Sequence, residues 1–379
     1  MDLSLTVYFI PFLLALVCAF GGKLEGFKFS GTMFWVILAV VAVIGGLNWQ
    51  VGWDWQGYDH YFSCISLNGV HGFLGSGYTA DLSGLHFEPG YYALSYLVKL
   101  LGGTNIFVVA AASIFNVYAL SRLITAVPNN RCFSLFFYIC FCFIFLHFAM
   151  VRQSFAVGFA YLACREIIDG GKAWKAVAFV LAGMLFHASA LLYLPVLLTY
   201  NIGNKNSKIL VACAALLVAA ASAFKMDFSA VLIGFVYKTL GFGFFTKYYA
   251  YVNVPYHPTP SAYLLIAFNF LFVLYLISKS PQDPKLNRLA TLTFNATLLM
   301  LLAFALFYFN PSIRRRILFL AAPLQGVWIA NQLLTTGLFE KISLFLITAA
   351  YGVSAYIYTV YSSVSFLTPY KTIFGGFFK

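Results

Sequence analysis

Residues 132–150 read CFSLFFYICFCFIFLHFAM, a run without a single Asp, Glu, Lys or Arg. As a helix rising about 1.5 Å per residue it reaches about 28 Å, close to the roughly 30 Å hydrocarbon core of a bilayer. Comparable apolar segments recur at 3–20, 32–47, 104–126, 153–168, 174–186, 188–200, 208–224, 261–279, 287–308, 313–335 and 342–361. Lipid offers the backbone no hydrogen-bond partners, so such segments cross as helices. The chain is 62% hydrophobic and only 9% charged, which excludes an ordinary soluble domain. The predicted fold is an all-α polytopic membrane protein of about 11–12 transmembrane helices. It forms a single integral membrane domain over 1–379, with outward polar loops at 48–91 and 225–260. Segment 3–20 lacks a basic leader and is expected to stay as the first span rather than be cleaved.

The first polar loop begins NWQVGWDWQGYDHYF and ends LHFEPGYY. Asp54, Asp59, Asp81 and Glu88, four of the chain's eleven acids, lie in it, and it holds no Lys or Arg. A connection of this length without helices of its own is uncommon and usually functional. Lys23 and Lys28 lie between the first two spans, which puts that link in the cytoplasm and turns 48–91 outward. Pro89 marks the first turn of a short interfacial helix over 89–101.

Stretch 174–200, with His187 at its centre, has two readings. As two half-length helices it is a hairpin with His187-Ala188-Ser189 at an outward tip; as one span it inverts everything downstream. The Lys and Arg distribution alone leans to the single span. The hairpin is expected here, because it alone brings His187, loop 225–260 and Arg314–Arg316 to the side of the acidic loop.

The net charge of +12 is scattered between spans, so nucleic acid is not a partner. The seven cysteines give neither a disulfide framework nor a zinc pattern. No metal or cofactor is expected.

Chemistry concentrates in five places. In Gly52-Trp53-Asp54-Trp55-Gln56-Gly57-Tyr58-Asp59, carboxylates among aromatic rings suit a sugar, although an interfacial aromatic belt has the same composition. Glu88 and Tyr91 stand at the start of the 89–101 helix, where the helix dipole alone would favour the acid. Arg152-Gln153 opens a span on the outer side, against the positive-inside trend; a guanidinium fork suits a phosphate, and snorkelling to headgroups is the plainer account. His187 is ionisable inside an apolar run and can exchange a proton near neutrality, or merely bond a neighbouring helix. Arg314, Arg315 and Arg316 follow Asn310-Pro311-Ser312 at a helix start; successive residues turn about 100°, so at most one or two can face one diphosphate. An ordinary cytoplasmic basic cluster would look the same. Tyr256-His257-Pro258 closes the second loop and reads equally as a contact or a turn.

Gly52-x-Asp54-x-x-x-Tyr58, Glu88-Pro89-Gly90-Tyr91, Arg152-Gln153, Phe186-His187-x-Ser189-Ala190-Leu191 and the Arg314–Arg316 cluster, in this order, resemble the EpsG-like, Wzy-type polysaccharide polymerases of bacterial inner membranes. The resemblance implies a C-type glycosyltransferase fold and chemistry at the outer face, joining repeat units carried on undecaprenyl diphosphate into O-antigen of lipopolysaccharide, capsule or exopolysaccharide. It implies a lipid-linked glycan donor and acceptor as partners, together with membrane lipid, and admits a chain-length regulator protein. In that scheme Arg152 with Arg314, Arg315 or Arg316 steadies the leaving diphosphate. His187, or else Asp54, serves the acceptor hydroxyl. Glu88, Trp53, Trp55, Tyr58, Asp59, Tyr91 and Gln153 line the sugar site. Two other classes compete. A lipid-linked oligosaccharide flippase would carry its ionisable groups near mid-membrane. A membrane acyltransferase would need His beside Asp or Cys, and His147 has no such sequence neighbour.

Overall fold

A computed structural model describes residues 3–21, 30–67, 87–199, 260–279, 281–306 and 311–372, with isolated positions between 213 and 220. The second loop, its Tyr256-His257-Pro258, and Asp81 lie outside the described residues. The chain divides into two compact units, Met1–Leu194 with Gln325–Lys379, and Pro195–Leu324. Among the described residues the structure is helical, apart from one isolated bridge between Asn48 and Thr372. Five of these helices are long and apolar enough to cross a membrane, and shorter apolar helices accompany them. This is the all-α polytopic architecture expected of the composition.

In the first unit, α1 (Leu3–Gly21) and α2 (Ser30–Gly46) are followed by α3 (Trp55–Cys64), α4 (Pro89–Leu100) and α5 (Asn105–Ile124). Then come α6 (Arg131–Phe148), α7 (Val151–Ile168) and α8 (Ala173–Met184). Helices α2, α5, α7 and α8 pack each on the next, and α1 packs on α2 and α6. Small residues permit the α2–α5 approach: a Cβ on Gly46 would stand 3.3 Å from the Ala110 backbone. The apolar run that opens the sequence is α6, which is 94% buried, a central helix with apolar residues on all faces. Its middle, Ile139–Phe143, winds as one π-helical turn. The chain breaks at Ala149–Met150, and α7 starts afresh at Val151.

Two expectations meet the structure differently. Stretch 174–200 is not one helix. Helix α8 stops at Met184, Leu185–His187 turn, and a 3₁₀ segment, Ala188–Tyr193, lies against both α7 and α8. The loop 48–91 does contain a helix. Trp55, Tyr58, Tyr61 and Phe62 recur at helical spacing and bury one face of α3. The turn-rich letters before it hid that periodicity.

The second unit contains α9 (Pro260–Ile277) and α10 (Pro284–Leu306), which pack on each other. Asn295 of α10 donates to Thr199 Oγ1 at 2.9 Å within this unit. Helix α11 (Pro311–Thr335) contributes residues to both units, and α12 (Leu338–Ser362) belongs to the first.

A candidate diphosphate site around Arg152

The break after α6 puts Arg152 in the first turn of α7, where the helix dipole favours an anion. Its guanidinium carbon lies over Phe87, 3.9 Å from the ring centre, and 5.9 Å from that of Tyr58. Nη1 donates to Glu88 Oε2 at 2.5 Å. The side chains of Arg152 and Glu88 are 16% and 14% exposed, so this is a mostly buried charge pair. The Nε–H of Arg152 is buried and has no acceptor among the described residues. One edge of the fork is therefore committed and the other presents a donor without a partner, a costly state for a buried group.

Three chain segments meet at this pair. Glu88 Oε1 accepts from the Ala188 N–H at 3.4 Å, and Gly90 N–H donates to the Leu185 carbonyl at 2.6 Å. The start of α4 is thus tied to the turn carrying His187. That turn is organised by His187 itself. Nδ1 accepts from the Ser189 N–H at 3.1 Å and caps the 3₁₀ segment, while its own N–H donates to the Gly183 carbonyl. An Nδ1 that accepts places the proton of a neutral imidazole on Nε2. Gln153 is buried and doubly held: Ser189 Oγ donates to its Oε1 at 2.6 Å, and its Nε2 donates to the Tyr193 hydroxyl at 3.0 Å.

The aromatic residues of the first loop divide. Tyr58, Tyr91 and Trp55 are core residues, Tyr91 fully so. Tyr58 and Tyr91 lie with ring centres 5.6 Å apart, and Trp55 packs edge-on against Trp49. Burial raises the Tyr58 phenol above its ordinary range, with Arg152 pulling the other way and Asp54 adding to the rise. Tyr58 therefore stays a neutral hydroxyl beside the guanidinium. Trp53, by contrast, is half-buried, stacked on Phe145 and tilted against Phe366. Asp54 precedes α3 at its N-cap and is exposed, and Asp59 is half-buried on the same helix. The loop is placed by Gly52, whose φ of 103° suits glycine and whose N–H donates to the Phe366 carbonyl.

The structure therefore brings Arg152, Glu88, Tyr58 and the His187 turn together. Arg315 and Arg316 are half-buried at the start of α11 and belong to the second unit; the side chain of Arg314 is outside the described residues. Phe87, the platform under Arg152, and the Ala188 N–H were not legible as site groups. An aromatic before Glu-Pro and a backbone amide carry no sequence signal of their own.

Residues 31–372 match the family model described as the EpsG family. The chain belongs to the EpsG family. Comparison with curated proteins and with solved structures returned no match. Membership places this EpsG-family protein in polysaccharide biosynthesis, as a multi-pass membrane protein of a glycosyltransferase-like polymerase family. The match spans all five segments that carry the resemblance, from Gly52 to Arg316.

Proposed function

We propose that this EpsG-family protein polymerises repeat units carried on undecaprenyl diphosphate, at the outer face of the bacterial inner membrane. A hydroxyl of the acceptor unit attacks the anomeric carbon of the donor glycan. The new glycosidic C–O bond forms as the bond from that carbon to the diphosphate oxygen breaks. The hydroxyl proton passes to a base, and the lipid diphosphate departs with its negative charge.

The observation that carries this reading is the half-committed guanidinium of Arg152. Its unsatisfied Nε–H, at a helix N-terminus and over an aromatic ring, suits a phosphate oxygen, while Glu88 holds the opposite edge. Developing charge on a leaving diphosphate is best met by fixed donors of this kind. Glu88, held beside the guanidinium, takes the proton of the acceptor hydroxyl in this proposal, in place of His187 or Asp54. His187 steadies a substrate oxygen from Nε2–H. Exposed Asp54 and the half-buried faces of Trp53 and Asp59 meet the sugars, while Trp55, Tyr58, Tyr91 and Gln153 hold the site's walls. The absence of Lys and Arg from 48–91 supports an outward-facing loop.

Deletion in the native host tests the reaction. The expected result is single repeat units on the carrier and loss of long chains. Loss of all surface glycan would indicate a flippase instead, and unchanged chain length with altered decoration an acyltransferase.

A further inference from the structure

His147 takes no part in the reaction proposed above, yet its ring is fully engaged. It sits on the last turn of α6, 2% exposed, five residues before Arg152. Nδ1 lies 2.8 Å from Ser113 Oγ and Nε2 lies 2.8 Å from the Tyr138 hydroxyl. Tyr138 is 2.6 Å from Asn116 Oδ1, and Asn116 Nδ2 donates to the Ser154 carbonyl at 3.0 Å.

That last bond fixes the direction of all the others. A carbonyl only accepts, so Asn116 turns its NH₂ to Ser154 and its oxygen to Tyr138. Tyr138 then donates to that oxygen, and its own oxygen accepts from Nε2–H of His147. Nδ1 is left to accept from the Ser113 hydroxyl. The Ser113 hydroxyl, which also lies 3.2 Å from the Ala42 carbonyl, gives its hydrogen to the nearer Nδ1, and the bonds run one way, from Ser113 through His147, Tyr138 and Asn116 to Ser154. Chains aligned in this manner polarise one another and hold geometry tightly.

The π turn makes the chain possible. Residues nine apart on an α-helix, such as Tyr138 and His147, face about 180° away from each other. The π turn absorbs one extra residue, about 100°, and brings the two side chains to within about 80°. Gly45 of α2 leaves room for the ring, since a Cβ there would stand 2.6 Å from Nδ1. The chain ends on Ser154, in the first turn of α7, two residues beyond Arg152.

We propose that His147 is a positioning residue that fixes the first turn of α7, and with it Arg152, through this one-way chain. Its consequence for binding rests on Arg152 being the diphosphate ligand; its consequence for the helix start does not. Tyr138→Phe removes one oxygen and cuts the chain with the ring kept. His147→Gln retains an N–H donor for Tyr138, and His147→Leu retains none.

Two measurements on the full-length protein in detergent separate the claims. Amide hydrogen exchange of a peptide covering 149–157 reads the helix start. Binding of farnesyl diphosphate, a short lipid diphosphate, reads the site. In Tyr138→Phe and His147→Leu the exchange is expected to speed up about fivefold and the farnesyl diphosphate Kd to rise by a similar factor, the worth of one hydrogen bond. His147→Gln is expected to stay near wild type in both. Unchanged exchange in Tyr138→Phe overturns the inference. Equal effects of Gln and Leu also overturn it, because imidazole chemistry would then matter rather than the Nε2 donor. Wild-type binding that ignores Arg152→Ala would instead remove Arg152 from the diphosphate site and leave the exchange result to decide the positioning role.

Discussion

Glu88 and Arg152, 64 positions apart in sequence, share a bond of 2.5 Å that occupies one edge of the guanidinium and leaves the Nε–H edge to another acceptor. Lysine can supply the charge but not two edges, so Arg152→Lys is not a conservative change here. Long polymer is expected to fall roughly 10- to 100-fold in Arg152→Lys, the range for losing one charged hydrogen bond. Glu88→Gln removes the proposed base and the counter-charge together and is expected to abolish long chains. Chain-length ladders from host membranes, normalised to the amount of inserted protein, check both. Wild-type ladders in Arg152→Lys would remove the two-edge role.

His187 has two separable jobs in this arrangement. Its Nδ1 caps the 3₁₀ segment, and in the proposed reaction its Nε2–H steadies a substrate oxygen. Asparagine is a good N-cap and can replace the first job but not the second. His187→Asn is therefore expected to accumulate normally and to make roughly tenfold less polymer. His187→Ala should in addition lose about 1 kcal/mol of stability with the cap. Comparing detergent melting with polymer yield for the two variants separates the jobs; full yield from His187→Asn would leave His187 as a cap alone.

The membrane-spanning class was open to direct reading because long apolar runs such as 132–150 have one physical outcome in lipid. Arg152 and His187 could also be picked out, since each is an ionisable group where composition disfavours one, whereas Glu88 stood out only as one of four acids in the first loop, at a helix start that favours it. Their convergence was not visible. It depends on a helix break at Ala149–Met150 and on backbone bonds such as Gly90 to Leu185, which leave no trace in residue type. Burial was equally hidden for the aromatics. Trp53 and Trp55 look alike in sequence, but only Trp55 falls on the inward face of α3, and α3 itself was masked by glycines and polar letters.

Two glycines five residues apart should respond oppositely to alanine. Gly52 adopts φ of 103°, and a Cβ there would overlap the Phe148 carbonyl oxygen. Strain of that kind costs about 1–3 kcal/mol even before the overlap is counted. Gly57 lies inside α3 with open space around the Cβ position. Gly57→Ala is expected to stabilise by about 0.5–1 kcal/mol through helix propensity. Thermal melts of the purified variants give the comparison. A Gly52→Ala protein as stable as wild type would mean that the loop is not seated on Phe148.

The interruption at Leu185–His187 bears on which way the chain's later part faces. If α8 and the segment after it form a hairpin, residue 204 is cytoplasmic and residue 312, just before the arginine cluster, is outside. One continuous crossing would reverse both. Single cysteines at 204 and 312 in an otherwise cysteine-free protein, labelled from outside intact cells with a membrane-impermeant maleimide, read this directly. Labelling at 312 alone is the expected result, because α8 ends at Met184 and the turn bonds back onto Gln153 and Glu88. Labelling at 204 alone would put Arg314–Arg316 on the cytoplasmic side and remove them from any shared anion site with Arg152. Arg152 and the helix dipole of α7 would then have to hold the leaving diphosphate without them.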